Sequence, residues 1–178
     1  GSTIAIPYLP REDNDARLAA ARAVRGLGFE PMPHLSARRV ASLAELASFV
    51  ERAATEAGVE RCFGIAGDPS TATGPFSDSA SLLGTGVFER WGMKVIGVGG
   101  HPEGHPVMSE AEQWEVLESK CRSISERGMA PLIERGSINR TEIGAVRARY
   151  EPVPAPIKAA RPRGEYWMSI CASGVANV

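Results

Sequence analysis

Two short apolar runs each end at glycine and lead directly into ionisable residues, and this repeated pattern constrains the fold more than any other feature. The first run occupies residues 63–69 and leads to Asp68, and the second occupies residues 95–105 and leads to His101 and His105. Parallel strands present polar groups in this way, because their carboxyl ends meet at one edge of a sheet. The pattern predicts an α/β protein with ligand-binding groups at its strand ends.

Helix-start and helix-stop signals divide the first 133 residues into repeating units. Ser42 and Glu45 have capping-box spacing ahead of an apolar helical stripe that Gly58 closes, and Ser109 and Glu112 repeat the signature. A further helix is expected around residues 79–91. Together these signals predict five strands alternating with four helices, at about 25 to 35 residues per unit.

The repeating pattern stops near residue 134. We therefore treat residues 1–133 as the (β/α) portion and residues 134–178 as an unassigned tail that could pack on it. The tail contains a weak helical signal at residues 141–150 and a possible strand at residues 166–171, which could pair with a sheet edge or with another chain.

Composition narrows the possible partners and the compartment. Lys and Arg number 20 against 21 Asp and Glu, so no field strong enough to recruit nucleic acid or a membrane surface is expected. Cys62, Cys121 and Cys171 have neither disulfide-framework nor zinc-ligand spacing, which favours a cytoplasmic location and no metal. No apolar run reaches the roughly 18 residues of a membrane span. A small molecule or another protein is the expected partner.

The candidate residues each have a structural and a functional interpretation. Asp68 could bond its own backbone in a turn, or could project a carboxylate from a strand end. His101 and His105 are four residues apart, but the prolines and glycine around them exclude a helical metal pair, which leaves a rigid loop with two imidazoles. His34 could be a packed residue or a ligand-binding one, and the following pair Arg38 and Arg39 a solvated face or a phosphate clamp.

Three segments, in this order and separation, resemble the methylenetetrahydrofolate reductase family. They are Pro33-His34-Leu35-Ser36, Gly64-Ile65-Ala66-Gly67-Asp68-Pro69 and Gly100-His101-Pro102-Glu103-Gly104-His105-Pro106. The resemblance covers about residues 3–133. It implies a (β/α)8 TIM barrel, complete or partial, with FAD at the carboxyl ends of the strands. It also implies that NAD(P)H passes hydride through the flavin to 5,10-methylenetetrahydrofolate, giving 5-methyltetrahydrofolate for methionine biosynthesis, in a chain that could form a homo-oligomer.

The resemblance also implies roles for individual residues. Asp68 would be the catalytic and substrate-binding residue, facing both flavin and pterin, where its charge would tune the flavin. His101 stands where the family usually has a tyrosine, and Ala66 stands where it has an arginine. The implied cofactor-binding residues are His34, Ala66, Gly67, Asp68, Phe76, Ser77, His101, His105 and Lys120.

Other departures keep a second function open. The family's Phe-Glu-Phe-Phe segment, which supplies the general acid, has no counterpart, and Pro7-Tyr8-Leu9 replaces Thr-Tyr-Gly. After Ile133 the expected Thr-Gln-Phe, whose glutamine binds substrate, gives way to Glu134-Arg135-Gly136. The alternative is therefore a folate-binding or partner-binding subunit that has lost catalysis.

Five strands leave two free sheet edges, whereas a closed eight-stranded barrel has none. The remaining strands could belong to segments beyond the given sequence, to the tail or to a partner chain. The abrupt change at the junction of Ile133 and Glu134 favours missing segments.

Overall fold

The computed structural model describes residues 2–8, 13–101, 105 and 108–134. The predicted strand at residues 166–171 and the helical signal at residues 141–150 lie outside these ranges, as does the tail from residue 135. Among the described residues, no helix is both long enough and apolar enough to span a lipid bilayer.

The described chain forms one parallel sheet of five strands in sequential order. Each strand pairs with the next, so His34 lies opposite Phe63, Phe63 opposite Gly97, and Gly97 opposite Leu132. The expected α/β alternation is therefore confirmed, and its arrangement is that of a (β/α)n fold. The strands are β1 (Thr3–Ile6), β2 (Glu30–Ser36), β3 (Arg61–Ile65), β4 (Val95–Gly99) and β5 (Ala130–Glu134).

The helices begin where the sequence places their caps. At Ser109 both bonds of the capping box form, whereas Ser42 accepts from the Glu45 amide while the Glu45 carboxylate bonds the Ala41 amide instead of closing the box. Gly58 ends its helix in the left-handed conformation. The helices are α1 (Asn14–Gly26), α2 (Leu43–Ala57), α3 (Ser79–Leu83), α4 (Val87–Arg90) and α5 (Glu110–Glu126), and a 3-10 turn spans Ala37–Arg39.

The single helix expected over residues 79–91 is wrong, because α3 and α4 are separate short helices. Gly84 ends α3, and Gly86 precedes α4 with a φ of 78°, a conformation that no regular helix contains. The prediction gave too little weight to two glycines within three residues. The consequence is that the segment after Asp78 turns twice before it enters β4.

One face of the sheet packs on the helices and forms the hydrophobic core. The strands contribute alternate residues to this core, including Ile6, Leu35, Cys62, Ile96 and Val98. Met32 and Phe63 are also buried, yet they lie outside this core because they point to the opposite face. We call that opposite face, which carries Met32, His34, Ser36, Phe63 and Gly97, the inner face.

A close contact fixes the centre of the inner face. A Cβ added at Gly97 would lie 2.2 Å from Cδ2 of Phe63, so the Phe63 ring occupies the space that any other side chain at position 97 would need. The ring of His34 in turn packs on Phe63, with 4.7 Å between ring centroids. Glycine at position 97 therefore allows an aromatic ring to support His34.

Gly97→Ala is expected to destabilise the protein by about 1–3 kcal/mol, because the added methyl group overpacks a buried ring. Gly26→Ala is the matched control, since a Cβ at Gly26 meets no atom within 4 Å. Urea denaturation gives the free energy of unfolding of both variants. Combining Gly97→Ala with Phe63→Leu should cost less than the sum of the two single changes. Strict additivity would show that the ring and position 97 do not compete for space.

Candidate functional site

His34 lies on the inner face near the end of β2, two residues before the strand stops. Its side chain is 7% exposed, and its Nε2 has no hydrogen-bond partner among the described residues. Burial, together with the positive charge of Arg17, lowers the pKa of His34 to about 4. The imidazole is therefore neutral at physiological pH, with one nitrogen able to donate and the other to accept.

Arg17 fixes the backbone of β2 from the helix side of the sheet. Its guanidinium is 2% exposed, donates to the carbonyl of His34, and also donates to Oδ1 of Asn14 at 3.2 Å. Its central carbon lies over the rings of Phe49 and Tyr8, at 4.4 Å and 4.5 Å from their centroids. This buried charge holds α1 to the strand that carries His34.

Gly67 brings the loop after β3 against the end of β2. It has a φ of 94°, and a Cβ there would lie 1.9 Å from Oγ of Ser36, so glycine is required on both grounds. The loop therefore places Asp68 beside the strand that carries His34. The Asp68 side chain is exposed, and within the described chain it makes no hydrogen bond with its own loop, unlike the turn-forming interpretation.

Ser36 is a residue that the sequence interpretation did not single out. It is 2% exposed, and its Oγ has no hydrogen-bond partner within the described ranges. It also borders a cavity of about 10 Å³ between α1 and α2, which is room for about one water molecule. The available signal was period-two alternation, which places residues 34 and 36 on the same face of one strand.

His101 and His105 follow the neighbouring strand β4. Their rings meet edge to face, with 5.3 Å between centroids. His101 has a φ of 46°, rare for a residue with a side chain, and its Nε2 lies 3.2 Å from where a Cβ on Gly99 would be. The two imidazoles therefore form one unit at the carboxyl end of β4, as the sequence predicts.

Ala66, Phe76 and Ser77 lie around the guanidinium of Arg38. The carbonyl of Ala66 accepts from the Arg38 amide at 2.9 Å, and the carbonyl of Ser77 accepts from Nε of Arg38 at 2.9 Å. Phe76 is 5% exposed and belongs to the hydrophobic core, so its side chain is engaged in packing. The interpretation of Arg38 as part of a solvated face is wrong, because its side chain is half-buried and bonds the protein backbone.

Lys120 lies on α5, which packs on α3 and the end of the sheet. Burial lowers the pKa of Lys120, and the negative charge of Asp78, the N-cap of α3, acts in the opposite direction. The structure therefore brings Lys120 close to the segment that contains Ser77. The sequence alone did not predict this pairing, because residues 77 and 120 belong to different repeating units.

The predicted site residues fall into two groups. His34, Gly67 and Asp68, with His101 and His105, follow three neighbouring parallel strands, β2 to β4. Ser77 and Lys120 lie beside α3. That the carboxylate of Asp68 and the imidazoles of His34 and His105 share one cavity stays a prediction.

The first group offers neutral imidazoles and a carboxylate, which suit hydrogen bonding to a polar ring. Among the described residues, no three His, Cys, Asp or Glu side chains are grouped closely enough to hold a metal ion. No protein-family model matches the chain.

Lowering the pH should destabilise the protein through His34. The folded pKa of about 4 lies below the ordinary value of 6.5, so the unfolded chain binds a proton first and stability falls as the pH drops from about 6.5 to about 4. We expect a loss of up to about 3 kcal/mol over this window. Chemical denaturation at a series of pH values measures it.

His34→Gln removes the titrating group and should flatten the pH dependence between pH 6.5 and pH 4.5. Below that range the carboxyls of Glu30 and Glu112, whose pKa values are lowered by hydrogen bonds, also contribute. The same pH dependence in wild type and His34→Gln would rule out a neutral, buried histidine at this position.

Proposed function

We propose that this protein binds FAD at the carboxyl edge of its sheet and reduces 5,10-methylenetetrahydrofolate to 5-methyltetrahydrofolate, with NAD(P)H as the reductant. We propose further that the five parallel strands form part of a (β/α)8 barrel. Both proposals extend the resemblance to the methylenetetrahydrofolate reductase family.

One observation carries the proposal. The three segments that resemble the family follow β2, β3 and β4, which are neighbours in a parallel sheet, so they meet at the same edge. The resemblance was stated from sequence order alone, and nothing in that order required the segments to be adjacent. Their adjacency supports a common ligand.

The residues present fit a flavin in two respects. Nε2 of His34 is a buried polar atom with no partner among the described residues, and buried polar atoms of this kind normally have one. The loop at Gly67 lies too close to Ser36 for any larger residue, which keeps backbone rather than side chain at the strand end. His34, Gly67 and Asp68 would hold the flavin ring, with His101 and His105 at the next strand end.

Bound FAD would supply the relay of hydride from the nicotinamide to the folate. The residues of this chain would bind and orient the two ring systems. Asp68, exposed at its strand end, would accept hydrogen bonds from the N–H groups of the pterin ring. His34, held neutral, would add a dipole and no positive charge next to the flavin.

The second candidate function is a folate-binding or partner-binding subunit without catalysis. The observation that favours it is chemical: the reduction adds a proton as well as a hydride, and the segment that carries the family's general acid has no counterpart. Glu134 also follows Ile133 directly in β5, where the family continues with threonine and glutamine. Binding at the edge needs neither group.

Reconstitution distinguishes the two functions. The purified chain mixed with FAD should turn yellow and retain the flavin through gel filtration. NADH or NADPH should then bleach the flavin absorbance, and methylenetetrahydrofolate should restore it. Calorimetric binding of folate without any flavin binding would support the second function and contradict the first.

Asp68→Asn should weaken folate binding by about ten- to a hundredfold, because hydrogen bonds to a charged group contribute about 1.5–3 kcal/mol. Asp15→Asn is the matched control, since Asp15 is an exposed carboxylate that pairs with Arg52 between α1 and α2. Isothermal titration calorimetry with both variants measures the effect. Unchanged folate affinity in Asp68→Asn would remove Asp68 from the site under either function.

A further inference from the structure

We propose that Arg38 is a positioning residue that holds two ligand-facing segments, the loop at residues 66–69 and the segment around Ser77, at a fixed separation. This inference rests on the proposed function for the identity of the ligand. It concerns a residue that the resemblance does not assign. It also has consequences that are measurable without any ligand.

The side chain of Arg38 bridges the two segments directly. Its Nε donates to the carbonyl of Ser77 at 2.9 Å, and its Nη1 donates to the carbonyls of Gly67 and Pro69 at 3.3 Å and 3.1 Å. Gly67 and Pro69 flank Asp68 on both sides. One guanidinium therefore fixes the backbone on either side of the carboxylate and ties it to the start of α3.

The backbone of Arg38 adds two more bonds to the same region. Its amide donates to the carbonyl of Ala66 at 2.9 Å, and its carbonyl accepts from the amide of Thr73 at 2.8 Å. A Cβ at Gly74 would lie 2.3 Å from the carbonyl oxygen of Ala41, so residues 73–74 pack tightly on the turn after β2. Residues 66–77 are thus wrapped around a single residue at the end of β2.

A guanidinium suits this role better than any other side chain. Its donors lie in one plane and point in fixed, divergent directions, so it can bond carbonyls that belong to different segments. A lysine ammonium is a single point and cannot reach both Ser77 and Pro69. The adjacent Arg39 makes a different contact, with its guanidinium carbon 5.7 Å from the centroid of the Tyr8 ring. Arg39 is therefore the matched control.

Hydrogen–deuterium exchange of the full chain without ligand tests the first half of the proposal. Arg38→Ala should raise amide exchange in residues 66–78 by about tenfold or more, since three charge-assisted bonds that oppose local opening are lost. Arg38→Lys should fall between Arg38→Ala and wild type, and Arg39→Ala should match wild type. Equal exchange in Arg38→Ala and Arg39→Ala, or wild-type exchange in Arg38→Lys, would overturn the proposal.

FAD titration tests the second half. We expect Arg38→Ala to bind FAD at least about tenfold more weakly than Arg39→Ala, with recovery on addition of low millimolar guanidinium ion, which can occupy the vacated position. Faster exchange with unchanged FAD affinity would overturn the positioning role. Failure of wild type to bind FAD would instead refute the proposed function, and the exchange experiment would then decide the role of Arg38 by itself.

Discussion

The in-register parallel pairing of β2, β3 and β4 is the constraint on which the candidate site depends. His34 lies beside Phe63, and Phe63 lies beside Gly97. Because side chains alternate between faces, a slip of one residue in β2 would turn His34 toward the helices and expose Leu35 on the inner face. The absence of a side chain at Gly97 leaves the space for the Phe63 ring, so a contact in the middle of the sheet positions a polar group near its edge.

The electrostatics of the edge follow from what lies on each face of β2. Arg17 approaches from the helix side and bonds the backbone of β2, while His34 points to the inner face. The fixed positive charge and the burial both favour the neutral imidazole. A neutral donor and acceptor beside a fixed cation favours a ligand that is polar and uncharged or negative, which is the character of an isoalloxazine or pterin ring system.

Features set by local chemistry were predicted from the sequence, and features set by contacts between distant segments were not. The capping box at Ser109 and the left-handed glycine at residue 58 depend on neighbouring residues, so their patterns predicted the helix ends correctly. The role of Arg38 depends on carbonyl groups 29 to 39 residues away, which carry no side-chain signature. The neutrality of His34 likewise depends on Arg17, on another element, and closure of an eight-stranded barrel depends on strands beyond the five described.

The distribution of contacts along the chain also explains why binding and catalysis can be separated in such a fold. The contacts that hold the binding edge, from Arg17 on His34 to Phe63 on Gly97, all lie between residues 17 and 97. The resemblance assigns the general acid and the substrate glutamine to segments outside that range. Because the edge does not depend on those segments for its geometry, a chain of this kind can keep its ligand after the chemistry is lost. The two proposed functions therefore share one site and differ only in the proton that completes the reduction.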